Sequence, residues 1–219
     1  MVLKLKCIEN LKKFNVENNF ILSALNLAFI GYVQAKQIKP NNNFITWPDG
    51  IYAVKNGCKE KIPGRTLIKK LPINNKIKKI VVMGNCSNKE LLYLKLKFKL
   101  EVENYKLKFG NASTIVKSLP IIKKNYLYIL TLPTPLQEQV AIYISKKFKN
   151  FKIICLGGGL KMAAGLEKDC PKIFYKLGLE FIWRLRSDTK RRLIRLFYTF
   201  VMYNIFVITN KKIIFKKII

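Results

Sequence analysis

The 219-residue sequence contains no histidine, which excludes imidazole general bases, histidine-based catalytic triads and histidine metal ligands. Acidic residues are few, with 12 Asp and Glu against 42 Lys and Arg, and only three are aspartates: Asp49, Asp169 and Asp188. No Asp-x-Asp pair occurs, which argues against a metal-held nucleotide diphosphate. Any general base must therefore come from a very short set of carboxylates.

The cysteines are scattered and odd in number, and none of the five forms a Cys-x-x-Cys pair. This pattern predicts neither a zinc site nor a disulfide framework. The N-terminus builds no apolar signal segment, so the sequence predicts a reduced, cytoplasmic protein. Half of the residues are hydrophobic, which is enough to bury a core and excludes disorder throughout the chain.

The net charge of +30 calls for an anionic partner, namely nucleic acid, an anionic membrane surface or a phosphate-bearing substrate. Only six of the basic residues are arginines, and five of them fall within residues 184–195. On a helix, Arg184, Arg191 and Arg195 would share one face. Because lysine supplies the charge elsewhere, this cluster predicts bidentate binding of phosphate or carboxylate, with a solvated cationic helix face as the alternative.

Apolar bursts alternate with turn signals from residue 20 onward, which predicts an open, mostly parallel α/β sheet flanked by helices. The predicted strands are 20–24, 43–47, 79–83, 125–132 and 151–156, and the predicted helices are 26–37, 136–147 and one that begins near 159. The lysine-rich region 85–118 shows weak alternation and is left unassigned. In such sheets ligands bind at the carboxyl ends of the strands.

The end of the sequence differs from the rest, because residues 184–219 carry ten Lys or Arg and one acid. Within it, residues 196–210 are uncharged but too short to span a bilayer core, which needs roughly 20 apolar residues. We expect a division into a domain at 1–183 and a basic, amphipathic helical appendage at 184–219 that meets an anionic membrane surface. An ordinary core helix with a basic flank is the alternative.

Three segments place polar or flexible residues after predicted strands. Asp49 follows a strand in Trp-Pro-Asp-Gly, where Gly50 allows a tight turn, so its carboxylate is either a general base acting on a hydroxyl or part of a simple turn. Gln137 and Glu138 begin a helix, where they face a ligand or cap the helix. The glycines 157–159 offer backbone N–H groups to a phosphate, although they form neither G-x-G-x-x-G nor a Walker A sequence.

These segments, taken in order, resemble the WecG/TagA/CpsF glycosyltransferases, glycosyltransferase family 26. The resemblance covers residues 20–200 and its most specific part is the last. The motifs are FILSALNLAF at 20–29, WPDGI at 47–51, KIPG at 61–64, the strand ending in MG at 83–84, TPLQE at 134–138, GGGLKMAAG at 157–165, CPK at 170–172 and GLEFIWRLRSDTKRRLIRL at 178–196.

The resemblance implies a Rossmann-like α/β domain with a membrane-associated C-terminal appendage. It further implies an inverting bacterial enzyme, without metal or cofactor, at the inner face of the cytoplasmic membrane. Such an enzyme moves an N-acetylmannosamine-type sugar from a UDP-sugar donor to N-acetylglucosamine on a polyprenyl diphosphate, in the synthesis of cell-envelope polysaccharide or exopolysaccharide.

The resemblance also assigns roles to residues. It implies that Asp49 is the catalytic base and that Ser23, Asn26 and Gly50 lie near the sugar. The other expected substrate-binding residues are the Gln-Glu pair, the glycine turn and the appendage arginines, namely Gln137, Glu138, Gly157, Gly158, Gly159, Arg184, Arg191 and Arg195. The family's arginine in the R-x-x-G element is Lys61 here, which leaves the donor sugar open.

The sequence leaves two other hypotheses for the function. The charge of +30 also suits a nucleic-acid-binding protein, but basic and aromatic residues are not interleaved in any RNA-binding signature, so we expect no nucleic-acid partner. A non-catalytic relative that keeps the fold as a scaffold is the third reading. An exposed apolar appendage would also allow a homo-oligomer.

Overall fold

The computed structural model describes residues 3–8, 18–50, 57–167 and 213–218, together with single positions between these ranges. Within these residues lies a sheet of eight strands in the order β5-β4-β6-β7-β2-β3-β1-β8, and every neighbouring pair is parallel. The strands are β1 (Leu3–Ile8), β2 (Phe20–Leu25), β3 (Phe44–Pro48), β4 (Lys79–Met83), β5 (Glu101–Tyr105), β6 (Tyr126–Leu130), β7 (Lys152–Cys155) and β8 (Ile213–Ile218).

The central strands are apolar on both faces, as expected of a parallel sheet covered by helices on both sides. In β4, Val81 and Met83 join one buried cluster whereas Ile80 and Val82 join the other. This alternation follows from the two-residue period of a strand. The sheet therefore separates two hydrophobic layers.

Six helices of the described chain cover the two faces. They are α1 (Leu27–Gln34), α2 (Gly64–Lys70), α3 (Asn88–Phe98), α4 (Ala112–Lys117), α5 (Leu136–Lys147) and α6 (Gly159–Ala163). Buried residues of α1, α4 and α5 belong to the first layer, and buried residues of α2, α3 and α6 belong to the second.

Local capping explains where several helices begin. Ser87 and Glu90 form a capping box at the start of α3, because the Ser87 side chain accepts from the Glu90 N–H while the Glu90 carboxylate accepts from the Ser87 N–H. Asn111 caps α4 in a similar way through the Thr114 N–H. Neither of these two starts was predicted from the sequence.

The structure confirms the parallel α/β architecture and most of the predicted elements. Strand 79–83 and helix 136–147 have the predicted bounds, and the other predicted strands differ by one or two residues at an end. The helix predicted at 26–37 is shorter, since the chain turns after Gln34 and Lys36 takes a left-handed conformation. The unassigned region 85–118 contains α3, β5 and α4.

Three strands were not predicted: β5, which lies in the unassigned region and forms one edge of the sheet, and β1 and β8, which lie at the other edge. β1 pairs with β3 on one side and with β8 on the other, in a register that joins Leu3 to Ile213 and Ile8 to Ile218. Residues 213–218, which fall in the predicted appendage, are thus part of the sheet. The boundary proposed at residue 184 stays a prediction, and the predicted appendage helix lies largely outside the described residues.

Candidate functional site

The polar segments singled out in the sequence come together at the carboxyl edge of the sheet. β2 leads into Asn26, β3 into Asp49, β6 into the turn before α5, and β7 into the glycine turn. Since β6, β7, β2 and β3 are consecutive in the sheet and all parallel, their carboxyl ends lie side by side. Open parallel sheets bind ligands in this position.

Asp49 and Asn26 form the first part of the site. The Asn26 Nδ2 donates to Asp49 Oδ2 at 3.4 Å, while its Oδ1 accepts from the Phe29 N–H at 3.0 Å and so caps α1. Both side chains are half-buried. Gly50 has a φ of +120°, and a Cβ at this position would lie 3.9 Å from the Asn26 Cβ. The turn therefore holds a carboxylate and an amide together beside the ends of β2 and β3.

The KIPG segment at 61–64 packs against this turn. The Ile62 N–H donates to the Pro48 carbonyl at 2.6 Å, which brings the segment to the end of β3. Gly64 begins α2, where a Cβ would lie 3.6 Å from the Gly159 Cα. Two motifs nearly one hundred residues apart therefore meet through their glycines, and the absence of a Cβ at both positions allows α2 and α6 to approach each other closely.

A buried polar cluster lies behind the edge, centred on Glu138 in the first turn of α5. Its Oε1 accepts three hydrogen bonds, from Ser23 Oγ at 2.8 Å, Gln137 Nε2 at 2.9 Å and Thr134 Oγ1 at 3.2 Å. Gln137 Nε2 also donates to Thr134 Oγ1 at 3.1 Å. The cluster joins β2, the turn before α5 and α5 itself. Thr134 belongs to the TPLQE motif but was not among the predicted site residues.

Burial dominates the electrostatics of this cluster. Glu138 is 1% exposed, and desolvation raises the pKa of its carboxyl above the ordinary value near 4.5, although the hydrogen bonds from Ser23, Gln137 and Thr134 act in the opposite direction. Burial and the nearby Glu138 likewise raise the pKa of the Cys155 thiol. Glu138 therefore favours its un-ionised form over a wider pH range than an exposed glutamate.

Three buried polar atoms of the described chain have no hydrogen-bond partner: Glu138 Oε2, Gln137 Oε1 and Trp47 Nε1. The first two belong to the cluster. Gln137 is 4% exposed, and a Cβ at Gly157 would lie 3.7 Å from its Oε1, so the amide lies against the glycine turn. Neither Gln137 nor Glu138 caps α5, whose N-cap residue is Pro135 without a side-chain cap bond.

Two of the three N–H groups of the glycine turn after β7 donate hydrogen bonds within the protein. The N–H of Gly157 donates to the Leu130 carbonyl at 3.1 Å, and the N–H of Gly159 donates to the Leu156 carbonyl at 3.1 Å. Gly157 has a φ of +55°, which favours glycine there. The predicted phosphate contact of these N–H groups stays a prediction.

The carboxyl end of β4 adds residues that the sequence did not single out as a site. Thr131 Oγ1 donates to the carbonyls of Met83 and Asn85, at 3.3 and 3.0 Å, and Asn104 Nδ2 donates to the Gly84 carbonyl at 2.9 Å. These contacts tie β4 to its two neighbours in the sheet. β5 lies on one side of β4 and β6 lies on the other, so the order in which strands are added changes side at this point. The only sequence signal was the Met-Gly pair at 83–84.

The remaining predicted site residues are the three arginines of the appendage. Arg184, Arg191 and Arg195 lie outside the described residues. A cleft of about 390 Å³ opens elsewhere, between α1, α4 and α5, and its lining includes Lys36, Lys146 and none of the predicted site residues. The chemistry-bearing side chains are therefore at the sheet edge rather than in this cleft.

The described residues hold no candidate metal centre. They contain no group of three or more acidic, cysteine or histidine side chains placed to hold a metal ion. None of their helices combines the length and the apolar character needed to cross a bilayer.

Comparison with known proteins agrees with the resemblance read from the motifs. Residues 109–216 match the model of the Glycosyl transferase WecG/TagA/CpsF family, which confirms the family resemblance for this part of the chain. The match includes Gln137, Glu138 and the glycine turn, whereas Ser23 and Asp49 precede it.

Relatives of known function cover a smaller part of the chain. The N-acetylglucosaminyldiphosphoundecaprenol N-acetyl-beta-D-mannosaminyltransferases of Staphylococcus aureus strains MW2, NCTC 8325 / PS 47 and MRSA252 are each 33% identical to it over 78 residues. This match spans 36% of the chain and only 30% of the length of each relative.

Proposed function

We propose that this chain, which carries the WecG/TagA/CpsF family pattern, is an inverting glycosyltransferase. It would move an N-acetylmannosamine-type sugar from a UDP-sugar to N-acetylglucosamine on a polyprenyl diphosphate. The observation that carries the proposal is the Asn26–Asp49 pair at the carboxyl edge of a wholly parallel sheet, next to the buried cluster of the family-matched segment. The names of the relatives supply the donor sugar and the acceptor class.

In the proposed reaction, Asp49 accepts the proton of the acceptor sugar hydroxyl. The hydroxyl oxygen forms a bond to the anomeric carbon of the donor sugar as the bond from that carbon to the diphosphate oxygen breaks, and UDP leaves with the electron pair. Attack opposite the leaving group inverts the anomeric centre. Asn26 Nδ2, which contacts Asp49 Oδ2, orients the carboxylate toward the acceptor.

Charge on the leaving diphosphate requires stabilisation by cations or hydrogen-bond donors. The sequence lacks an Asp-x-Asp pair, so we propose that the reaction needs no metal and that Arg184, Arg191 and Arg195 supply the positive charge. The same basic segment would bind the anionic inner face of the cytoplasmic membrane, where the lipid acceptor lies. The wider role would be the synthesis of cell-envelope polysaccharide, with exopolysaccharide as one product class.

The test is a transfer assay with a UDP-N-acetylmannosamine donor and a short-chain lipid-diphosphate-N-acetylglucosamine acceptor, in EDTA and in Mg²⁺. Asp49→Asn keeps the size of the side chain and its ability to contact Asn26, but removes the base. We expect equal wild-type turnover in the two buffers and a loss of about 10²-fold or more in kcat for Asp49→Asn.

Thermal unfolding of both proteins provides the control for folding. Equal turnover by Asp49→Asn and wild type would show that Asp49 belongs to a turn only. No wild-type product with this donor or with other UDP-sugars would refute the transferase assignment and favour a scaffold or a nucleic-acid-binding protein.

A further inference from the structure

The Glu138 carboxyl connects segments that are far apart in the sequence. Its hydrogen bond with Ser23 spans 115 positions and joins α5 to the middle of the sheet. The other two donors to the same oxygen, Thr134 and Gln137, come from the turn before α5 and from its first turn. One oxygen atom therefore fixes β2 relative to the start of α5.

The surroundings make this carboxyl costly for the stability of the fold. On the same face of β2, Ile21 and Leu25 flank Ser23 and are fully buried, as is Val140 on α5. A buried polar group must be desolvated, and apolar side chains of similar volume often stabilise a core as well or better. Glu138 Oε2 moreover has no hydrogen-bond partner. Stability alone therefore gives no reason for a glutamate at this position.

The position of Ser23 suggests what the carboxyl does. β2 ends two residues after Ser23, and Asn26 follows directly as the cap of α1 and the donor to Asp49. β2 also pairs with β3 in a register that joins Leu25 to Pro48, the residue before Asp49. A hydrogen bond at Ser23 thus acts on the strand end that carries the Asn26–Asp49 pair.

We propose that Glu138 is a positioning residue that holds the end of β2 through Ser23, and thereby sets the Asn26–Asp49 pair, without touching substrate. The inference rests on the proposed function, in which Asp49 is the base. The 3.4 Å separation of Asn26 Nδ2 and Asp49 Oδ2 is near the upper limit of a hydrogen bond, so a small shift of β2 would break it.

A direct catalytic role for Glu138 fits the geometry less well. Oε1 is fully used by three protein donors, and Oε2 is buried among the described residues. A catalytic base must reach the proton that it abstracts. Asp49, which is only half-buried at the sheet edge, meets this requirement better.

The test compares Glu138→Gln, Glu138→Ala and Ser23→Ala in the transfer assay, with Gln139→Ala on the same helix as the control. The amide of Glu138→Gln keeps an acceptor for the three donors, so we expect at least about a third of the wild-type kcat. Glu138→Ala and Ser23→Ala should lower kcat by about tenfold to 10²-fold, with KM for both substrates within about twofold, because misplacement of the base affects the chemical step.

A double-mutant cycle then separates positioning from general loss of structure. If Glu138 acts through Ser23, the double variant should be no worse than Glu138→Ala alone. Additive losses would overturn the proposal. A Glu138→Gln variant as inactive as Asp49→Asn would also overturn it, because Glu138 would then act through its own ionisable proton.

A second measurement keeps the inference independent of turnover. In ¹⁵N-labelled protein, Glu138→Ala and Ser23→Ala should shift the amide resonances of Asn26 and Asp49, whereas Gln139→Ala should not. Unchanged resonances at both positions would overturn the positioning role. If the wild type transfers no sugar but these shifts occur, the proposed function fails while the structural link from Glu138 to Asp49 stands.

Discussion

At the scale of the residue, the burial of Glu138 links the stability of the fold to pH. Burial raises the pKa of this carboxyl above its ordinary value near 4.5, so the folded chain retains the proton after the unfolded chain has lost it. Between these two pKa values the unfolded state binds fewer protons than the folded state, and the free energy of unfolding therefore falls as pH rises. Below the ordinary value both states are protonated, so the free energy of unfolding no longer changes with pH through this group.

Glu138→Gln should remove this contribution to the pH dependence. The free energy of unfolding of the variant, minus that of wild type, should increase as pH rises above about 4.5, with a slope of at most about 1.4 kcal/mol per pH unit. Urea unfolding of both proteins at several pH values between 4 and 8 measures this difference. A difference that is flat or falls with pH would mean that Glu138 is ionised in the folded protein.

The residues of the site differ in how far the sequence could identify them. Asp49 was singled out because Pro48 and Gly50 mark a turn after an apolar strand, and both signals are local. These signals left a general base and a simple turn open, and the family resemblance implied the role of base. The contact between Ser23 and Glu138 joins positions 115 residues apart, so no local pattern could reveal it. Ser23 and Glu138 are both buried, and the position of Glu138 at the start of a helix gave no sign of this.

At the scale of the element, the end of β4 depends on a glycine. Gly84 has a φ of +120°, and a Cβ there would lie 2.6 Å from Thr131 Oγ1. That hydroxyl cannot easily move away because it donates to the Met83 and Asn85 carbonyls. The junction of β4 and β6 therefore has no room for a side chain.

Gly84→Ala should lower the free energy of unfolding by about 2 kcal/mol or more, from the combined cost of a left-handed alanine and the steric overlap. Gly57→Ala is the matched control, because Gly57 also has a positive φ of +95° but a Cβ there meets nothing within 4 Å. It should show only the smaller conformational cost. Equal losses in chemical denaturation would show that the contact with Thr131 contributes nothing.

Some elements are marked by their own residues and could be predicted, whereas others depend on neighbours that are distant in sequence. Residues 136–147 follow Pro135 and end in the basic pair Lys146–Lys147, so both ends of α5 are marked in the sequence. β5 (EVENY) instead has acids at alternate positions, and its Glu101 and Glu103 pair with Lys79 of β4, at 2.6 and 2.5 Å. This strand is stabilised by a neighbour that is distant in sequence, and its own composition gives little sign of it.

At the scale of the whole molecule, the charge of +30 leads to a test of membrane binding. Replacing Arg184, Arg191 and Arg195 together by alanine should weaken binding to vesicles that contain anionic lipid by about tenfold or more, since each basic residue near such a surface contributes about 1 kcal/mol. Cosedimentation at two salt concentrations measures the effect, with neutral vesicles as the reference.

The control removes the same charge elsewhere, through alanine at Lys95, Lys106 and Lys108, which are exposed. Substitutions are preferable to deletion of 184–219, because such a deletion would also remove β8 from the sheet. Equal weakening by both triple variants would assign vesicle binding to net charge alone. Tight RNA binding without vesicle binding would favour a nucleic-acid partner.

The pairing of β1 with β8 also determines when one edge of β1 is covered during synthesis of the chain. During synthesis at about 5–20 residues per second, the roughly 200 residues between these strands take about 10–40 s to make. Once β3 has been made, β1 can pair with it, but the N–H and C=O groups on the other edge of β1 must wait for β8. Each newly made molecule therefore passes through a stage in which one edge of β1 is unpaired, and this edge is covered only after residues 213–218 have been translated.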